Sequence, residues 1–313
     1  MVYTATTCCT SRICAVNVDR KEGNIMQKSY REELVGVFGD PIDENPTVIL
    51  EQAAFQACQL NYRYLNILVK SEDLEQAILG MKAMHMKGIN LTIPHKCAVL
   101  PYLDGISKEA SIIGAVNTIV VKDGKLLGEN TDGKGFLTSL QENDITVLGQ
   151  EIMILGAGGA ARAIAVELAL AGAKKITIVN RSRQRGEELT TLIQEKTSCQ
   201  AEFLLWNKTI SIPEEINILV NATSIGLFPN VEQKPDLDES SLRPDLIVCD
   251  VIPNHPRTQL LKMAEQQGAK TIDGLGMLVN QGAINFQLWT GKKAPVEVMK
   301  QAIQKKFGLE ESL

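Results

Sequence analysis

The stretch of sequence that decides the fold is I-M-I-L-G-A-G-G-A-A-R-A, residues 152–163. Its first four residues are all apolar and predict a strand buried on both faces. Gly156, Gly158 and Ala161 then match the pattern G-x-G-x-x-G/A at the start of an alanine-rich helix. The first glycine permits a tight turn, the second lets the backbone approach a pyrophosphate, and the third, small residue lets helix and strand pack closely. The segment predicts a dinucleotide-binding turn whose phosphates meet a helix N-terminus; the alternative is a strand–helix turn that binds nothing.

The end of the next strand decides which dinucleotide is expected. Ile176 to Val179 predicts that strand, and N-R-S-R-Q-R follows at residues 180–185. Enzymes that use NAD usually carry an acidic residue about 20 positions past the glycines, where it binds the ribose hydroxyls. Here no carboxylate occurs before Glu187, whereas three arginines and a serine suit a 2′-phosphate. The pattern predicts NADP; the alternative is a solvated, basic start of a helix.

Strands and helices alternate on both sides of this segment. Apolar runs at 34–39, 62–69 and 89–93, with helical patterns between them, predict a parallel sheet covered by helices. A β-branched run at 115–121 precedes the tight-turn pair Asp123-Gly124. Further strands are expected at 218–221 and 246–250, and helical segments at 279–288 and 296–305 are expected to return to the first domain. We expect an extension over residues 1–30, a substrate-binding catalytic domain over 31–132 plus 277–313, and an NADP-binding domain over 133–276.

Composition narrows the possible functions. The 313 residues are 44% hydrophobic with a net charge of -5, which is typical of a globular protein and does not favour binding to nucleic acid. The sequence contains no run of 18 apolar residues, so no membrane-spanning helix is expected. Seven cysteines without a C-x-x-C pair indicate reduced thiols and a cytoplasmic protein, and three scattered histidines do not favour a metal site. We expect the first thirty residues to be poorly ordered, although their three cysteines could instead form a metal or redox tail.

Three polar clusters follow predicted strands of the first domain. They span residues 90–96, 114–118 and 130–133. Ligands of open α/β sheets bind beyond the carboxyl ends of the strands, so these clusters suggest a site. Lys96 and Asp132, from separate clusters, could form an ion pair that faces a substrate hydroxyl. The alternatives are a solvated lysine and an ordinary Asn-Thr-Asp-Gly turn.

From about Val35 to its C-terminus the chain resembles the shikimate dehydrogenase family. The signatures are Asn90-x-Thr92-x-Pro94-x-Lys96, Gly114–Thr118, Asn130–Gly133, Gly156–Ala161, Asn221–Ser224 and Gly274–Gln281. The resemblance implies an α/β fold with two domains, an N-terminal α/β substrate domain and a Rossmann-type doubly wound parallel sheet. It also implies reversible, NADP-linked reduction of the 3-keto group of 3-dehydroshikimate to shikimate, a step of aromatic amino-acid (chorismate) biosynthesis.

The resemblance also implies roles for individual residues. Lys96 and Asp132 would form the catalytic pair, with Lys96 as proton donor or as electrostatic stabiliser of the alkoxide. Thr92, Asn117 and Gln281 would contact the ring hydroxyls of the substrate. The residues expected at the cofactor are Gly156, Ala157, Gly158, Gly159, Ala160, Asn180, Arg181, Ser182, Arg185, Thr223, Gly274 and Met277, with Arg181, Ser182 and Arg185 at the 2′-phosphate.

The chain departs from the family pattern where the substrate carboxylate is expected. Asn45 and Thr47 replace two serines, and both can still donate hydrogen bonds. In the family, threonine at the second position accompanies use of quinate, and Pro253 replaces a tyrosine. A quinate/shikimate or aminoshikimate dehydrogenase is therefore an alternative, and a non-catalytic NADP-sensing protein is another. The resemblance leaves a monomer or a homodimer open.

Overall fold

The structure is a computed structural model that describes residues 30–253 and 256–309. The expected extension over residues 1–30, with its three cysteines, lies outside the described residues except for Tyr30. Glu32–Leu313 form one compact unit, which contains two six-stranded sheets. No helix among the described residues is long and apolar enough to cross a membrane.

The first sheet has the strand order β2-β1-β3-β5-β6-β4. Its strands are β1 Glu33–Gly39, β2 Tyr62–Leu68, β3 Gly88–Leu91, β4 Gly105–Ile106, β5 Thr118–Lys122 and β6 Lys125–Glu129. Strands β1, β2 and β3 are parallel, as the alternating pattern predicts. The sheet is nevertheless mixed, because β5 runs antiparallel to both of its neighbours, β3 and β6. Asp123 and Gly124 join β5 to β6 in a two-residue turn with positive φ at both positions.

Five helices accompany the first sheet. They are α1 Thr47–Ala57, α2 Leu74–Ala83, α3 His95–Ala98, α4 Lys108–Ile113 and α5 Asp132–Glu142. The start of α1 is fixed by Asn45, whose side-chain oxygen accepts a hydrogen bond of 3.0 Å from the Thr47 amide. Helices α3 and α5 follow β3 and β6, so their first residues lie at one edge of the sheet.

The second sheet is parallel throughout, with the strand order β12-β11-β10-β7-β8-β9. Its strands are β7 Glu151–Leu155, β8 Lys175–Asn180, β9 Gln200–Leu205, β10 Ile218–Asn221, β11 Ile247–Asp250 and β12 Lys270–Ile272, and its helices are α6 Gly159–Leu170, α7 Arg183–Lys196 and α8 Gln259–Gln266. This is the doubly wound order, and it reverses between β7 and β10. Ligands of such sheets bind in the crevice at that reversal, where the glycine turn lies.

Two helices complete the chain, α9 Gly274–Thr290 and α10 Val296–Phe307. Helix α9 packs closely on α5, because Gly135 offers no side chain: a Cβ there would lie 2.7 Å from the Gln281 nitrogen. The C-terminal half of α9 buries Phe286 and Trp289 in the core beneath β1 and β2. Helix α9 thus begins after the last strand of the second sheet and packs with its C-terminal half on the first.

Candidate active site

A cavity of about 160 Å³ lies where α3, α5 and α9 converge. It is lined by both residues of the predicted catalytic pair and by all five predicted substrate contacts. Two predicted cofactor residues of α9 also line it. The predicted residues in the cavity wall are Asn45, Thr47, Thr92, Lys96, Asn117, Asp132, Gly274, Met277 and Gln281.

Lys96 and Asp132 form an ion pair in this cavity. The Lys96 Nζ and the Asp132 Oδ2 are 2.5 Å apart, although the residues come from different helices. The other carboxylate oxygen of Asp132 accepts a 2.8 Å hydrogen bond from the Asn117 side-chain amide. The Asp132 carboxylate is therefore held at both oxygens, while the Lys96 side chain keeps 29% of its surface exposed towards the cavity and solvent. Such a pair combines a fixed acceptor with an accessible proton donor.

Buried polar groups hold Asn117 in place behind this pair. Its side-chain oxygen accepts a 2.8 Å hydrogen bond from the Thr131 amide. The Thr131 hydroxyl donates to the Asn285 side-chain oxygen at 2.9 Å, and the Asn285 amide donates to Gln281 at 3.0 Å. A continuous network thus links Asp132 to Gln281, so the catalytic pair and one wall of the cavity share the same support.

Sequence analysis assigned no role to three members of this polar network, although Asn90 begins one of its signature motifs. Asn90 lines the cavity and accepts a 2.9 Å hydrogen bond from the buried hydroxyl of Tyr64. Asn285 lies one helical turn beyond Gln281, a spacing that could have identified it. Tyr64 gives no local signal, because β2 brings it to the site only through its pairing with β1. His95, next to Lys96, has its ring nitrogen 2.7 Å from the Val69 carbonyl oxygen and does not line the cavity.

The glycine turn after β7 leaves an open cradle. Gly156 has φ +108°, a conformation that favours glycine, and it packs against the end of β10. A Cβ placed on Gly158 or Gly159 would meet no heavy atom within 4 Å. Helix α6 begins at Gly159 without a side-chain cap, so its first amide groups face this open space. These features fit a pyrophosphate group.

The arginines of the basic segment after β8 differ in whether another side chain of the protein already binds them. Arg183 pairs with Glu187 at 3.0 Å and stacks on Phe203. Ser182 caps α7, and Arg181 and Arg185 are exposed and form no ion pair within residues 30–253 and 256–309. Their guanidinium groups are available to a phosphate, which agrees with the expectation of NADP.

The remaining predicted cofactor residues do not line the cavity of the catalytic pair. They lie instead at or just after the carboxyl ends of β7, β8 and β10, and they are Gly156, Ala157, Gly158, Gly159, Ala160, Asn180, Arg181, Ser182, Arg185 and Thr223. Thr223 lies beside the turn, with its methyl carbon 3.1 Å from a Cβ placed on Gly156. Its hydroxyl donates at 2.7 Å to Asn221, which in turn contacts Asp250. Burial raises the pKa of Asp250 to about 6.

Comparison with known proteins gives consistent matches. Residues 37–119 match the family described as shikimate dehydrogenase substrate binding domain. Residues 139–234 match the family shikimate/quinate 5-dehydrogenase, and residues 274–304 match the shikimate 5′-dehydrogenase C-terminal domain. A curated relative, the shikimate dehydrogenase (NADP(+)) of Desulforamulus reducens, is 42% identical over 88% of this chain and 96% of its own length.

Two solved structures are also similar. The ligand-free 5-ketofructose reductase of Gluconobacter sp. strain CHM43 is 47% identical with a TM-score of 0.85, covering 89% of this chain and 100% of that one. A shikimate dehydrogenase in complex with NADP+ is 42% identical with a TM-score of 0.82, covering 88% and 96%. The fold and the paired lysine and aspartate define an α/β protein of the dinucleotide-dependent dehydrogenase class. Within that class, the chain belongs to the shikimate dehydrogenase family.

Proposed function

We propose that the protein interconverts 3-dehydroshikimate and shikimate with NADP as cofactor, a step of aromatic amino-acid biosynthesis. The observation that carries this proposal is the 2.5 Å contact between Lys96 and Asp132 inside a cavity lined by neutral hydrogen-bonding side chains. The family supports the same reaction, because relatives of this chain are shikimate dehydrogenases that use NADP(+).

We assign substrate binding and catalysis to residues 31–132 plus 277–313, and NADP binding to residues 133–276. The open glycine cradle would hold the pyrophosphate, and Arg181, Ser182 and Arg185 would hold the 2′-phosphate. Thr223, Gly274 and Met277 would lie towards the nicotinamide. Thr92, Asn117 and Gln281 would bind ring hydroxyls, because their polar groups line the cavity with the ion pair.

The ion pair supplies the acid–base chemistry. Bound NADPH provides the hydride, and the carbonyl oxygen of the substrate then carries negative charge. The Lys96 ammonium group, held by Asp132, stabilises that charge or donates the proton that forms the hydroxyl. Asp132 keeps its orientation through Asn117, so the donor is in place before the substrate binds. Positioned acid–base groups typically contribute about 10²–10⁴-fold to the rate.

A second candidate function is the reduction of a neutral polyhydroxy ketone. Among the described residues, the charged side chains that line the cavity are Lys96 and Asp132, and they neutralise each other. A substrate carboxylate would therefore depend on the uncharged donors Asn45 and Thr47, with Pro253 also in the wall. The similar structure of a 5-ketofructose reductase favours this candidate as well.

A substrate panel separates these functions. The purified full chain is mixed with NADP⁺ and shikimate or quinate, or with NADPH and 5-ketofructose, and absorbance is followed at the NADPH band. We expect the fastest turnover with shikimate, and loss of most of it in Lys96→Ala but not in Lys125→Ala, which alters an exposed lysine of the β5–β6 hairpin. Turnover of 5-ketofructose alone would support the second candidate. NADP binding without any turnover would support the NADP-sensing alternative.

Two further expectations stay predictions. We infer a cytoplasmic location, supported by four free cysteines among the described residues, Cys58, Cys97, Cys199 and Cys249. We also expect a monomer or a homodimer, which sedimentation of the purified protein would distinguish.

A further inference from the structure

Four ionisable side chains interact electrostatically around Lys134, two residues along the chain from Asp132. Helix α4 contributes Glu109, strand β6 contributes Glu129, α5 contributes Lys134 and α6 contributes Glu167. The Lys134 Nζ lies 3.1 Å from a Glu129 oxygen and 3.4 Å from a Glu109 oxygen. We call these four residues the junction cluster, because α6 belongs to the second sheet and the other three elements accompany the first.

Glu167 is the unsatisfied member of the junction cluster. The residue is only 6% exposed, and its Oε1 has no hydrogen-bond partner within the described part of the chain. Helix α6 packs tightly on α5 there: a Cβ on Gly133 would lie 2.5 Å from the Glu167 side chain. Three carboxylates around one ammonium group leave an excess of negative charge in a half-buried place, and Glu167 is its buried member. Such a cluster is stabilised when it retains one proton.

The pKa of Glu167 agrees with this arrangement. Burial raises it to about 7, Lys134 lowers it, and Glu109 and Glu129 raise it further. On its other side α6 packs against α7, whose charged residues line a separate cavity with Arg162; they are Arg183, Glu187, Glu188 and Glu195. The groups that set the protonation of Glu167 are therefore those of the junction cluster.

A short chain of hydrogen bonds joins the junction cluster to the backbone amide of Asp132. The Glu129 oxygen that binds Lys134 also accepts a 3.0 Å hydrogen bond from the Asn130 amide. The Asn130 side-chain oxygen in turn accepts from the Asp132 amide at 3.2 Å. When Glu167 is neutral, Lys134 binds Glu129 and this chain is intact. When Glu167 is ionised, it becomes a third carboxylate that competes for Lys134, and the ion pair between Lys134 and Glu129 weakens.

We propose that Glu167 is a positioning residue, whose proton keeps Lys134 on Glu129 and thereby holds Asp132 in its catalytic orientation. The catalytic part of this inference rests on the proposed function. The coupling between Glu167 and Asp132 does not, and it can be measured without turnover.

The first measurement is the carboxyl ¹³C shift of Asp132 as a function of pH in the full chain. We expect an inflection near pH 7 in the wild type and its loss in Glu167→Gln, which keeps the shape of the side chain. In Lys134→Gln the inflection should also be lost, because the cation that transmits the protonation of Glu167 to Glu129 is gone. The control Glu188→Gln removes an exposed carboxylate of α7 and should leave the inflection unchanged.

The second measurement is the pH dependence of shikimate oxidation from about pH 6 to about pH 8, one unit on either side of the pKa of about 7. We expect the wild-type kcat to fall by about three- to ten-fold relative to Glu167→Gln as the pH rises, the range that loss of one hydrogen bond produces. The KM for NADP should not change. An Asp132 inflection that persists in Glu167→Gln, or that is missing in the wild type, overturns the proposal. If the inflection behaves as expected but shikimate is not oxidised, the proposed function fails and the coupling stands.

Discussion

Replacing Glu167 with glutamine is expected to stabilise the protein at alkaline pH and to leave its stability in acid nearly unchanged. The folded-state pKa of about 7 exceeds the ordinary value of 4.5 because the carboxyl is buried. Between these two values the folded state binds more protons than the unfolded state, so stability falls as the pH rises. Each pKa unit corresponds to about 1.36 kcal/mol, so the loss is about 3 kcal/mol once the pH exceeds 7. Glutamine carries no proton and does not incur this loss.

Chemical denaturation at about pH 5 and about pH 8 tests this expectation. The free energies of unfolding of wild type and Glu167→Gln should lie close together at pH 5 and differ by about 3 kcal/mol at pH 8, with the variant more stable. Titration of the other buried carboxyls changes the free energy of unfolding of the wild type and of the variant equally, so the difference between the two proteins reports on Glu167 alone. Glu188→Gln should follow the wild type at both pH values. An equal difference between wild type and Glu167→Gln at the two pH values would refute a buried proton at this position.

Three other changes test the site and its support. Asp132→Asn should lower kcat by about 10²–10⁴-fold, measured by NADPH formation, because the variant no longer holds the Lys96 ammonium group by charge; an unchanged kcat would contradict its role. Arg181→Ala should weaken NADP binding more than NAD binding in calorimetric titrations, and equal losses would argue against a 2′-phosphate contact. Gly135→Ala should lower the thermal unfolding temperature, because its Cβ would lie 2.7 Å from the Gln281 nitrogen and separate α5 from α9; an unchanged temperature would show that the contact can relax.

Local sequence patterns indicated the glycine turn and the segments that meet at the cavity. Strand β7 has a continuous apolar signal, and the residues in the cavity wall occur in short polar motifs directly after strands. The edge strand β2 was predicted, but two edge strands of the second sheet were missed for a physical reason. Strand β9 alternates between exposed and partly buried residues, and β12 has only three residues, so neither has the apolar run of a central strand. The antiparallel pairing of β5 with β6 follows from the Asp123-Gly124 turn, which the sequence did indicate, whereas the antiparallel pairing of β5 with β3 had no local signal.

Partners that are distant in sequence could not be predicted. Asn90 meets Tyr64 across two strand pairings, and Glu167 interacts electrostatically with Lys134 only because α6 packs on α5. An isolated glutamate in an alanine-rich helix gives no sign that it is buried. The junction cluster is thus a property of packing between helices, which hydrophobic periodicity does not specify.

Helix α9 limits where this scaffold can acquire a new substrate preference. Gly274, Met277 and Gln281 line the cavity, while Phe286 and Trp289 anchor the same helix in the core. A substitution on this helix therefore disturbs several contacts at once, and inserting one residue would turn its lining face by about 100°. The segments that carry Asn45, Thr47 and Pro253 lie outside helix interiors or at a helix start, and they can vary without moving Lys96 or Asp132. Divergence in substrate range is expected to accumulate in those connecting segments, while the helix that joins the two sheets changes slowly.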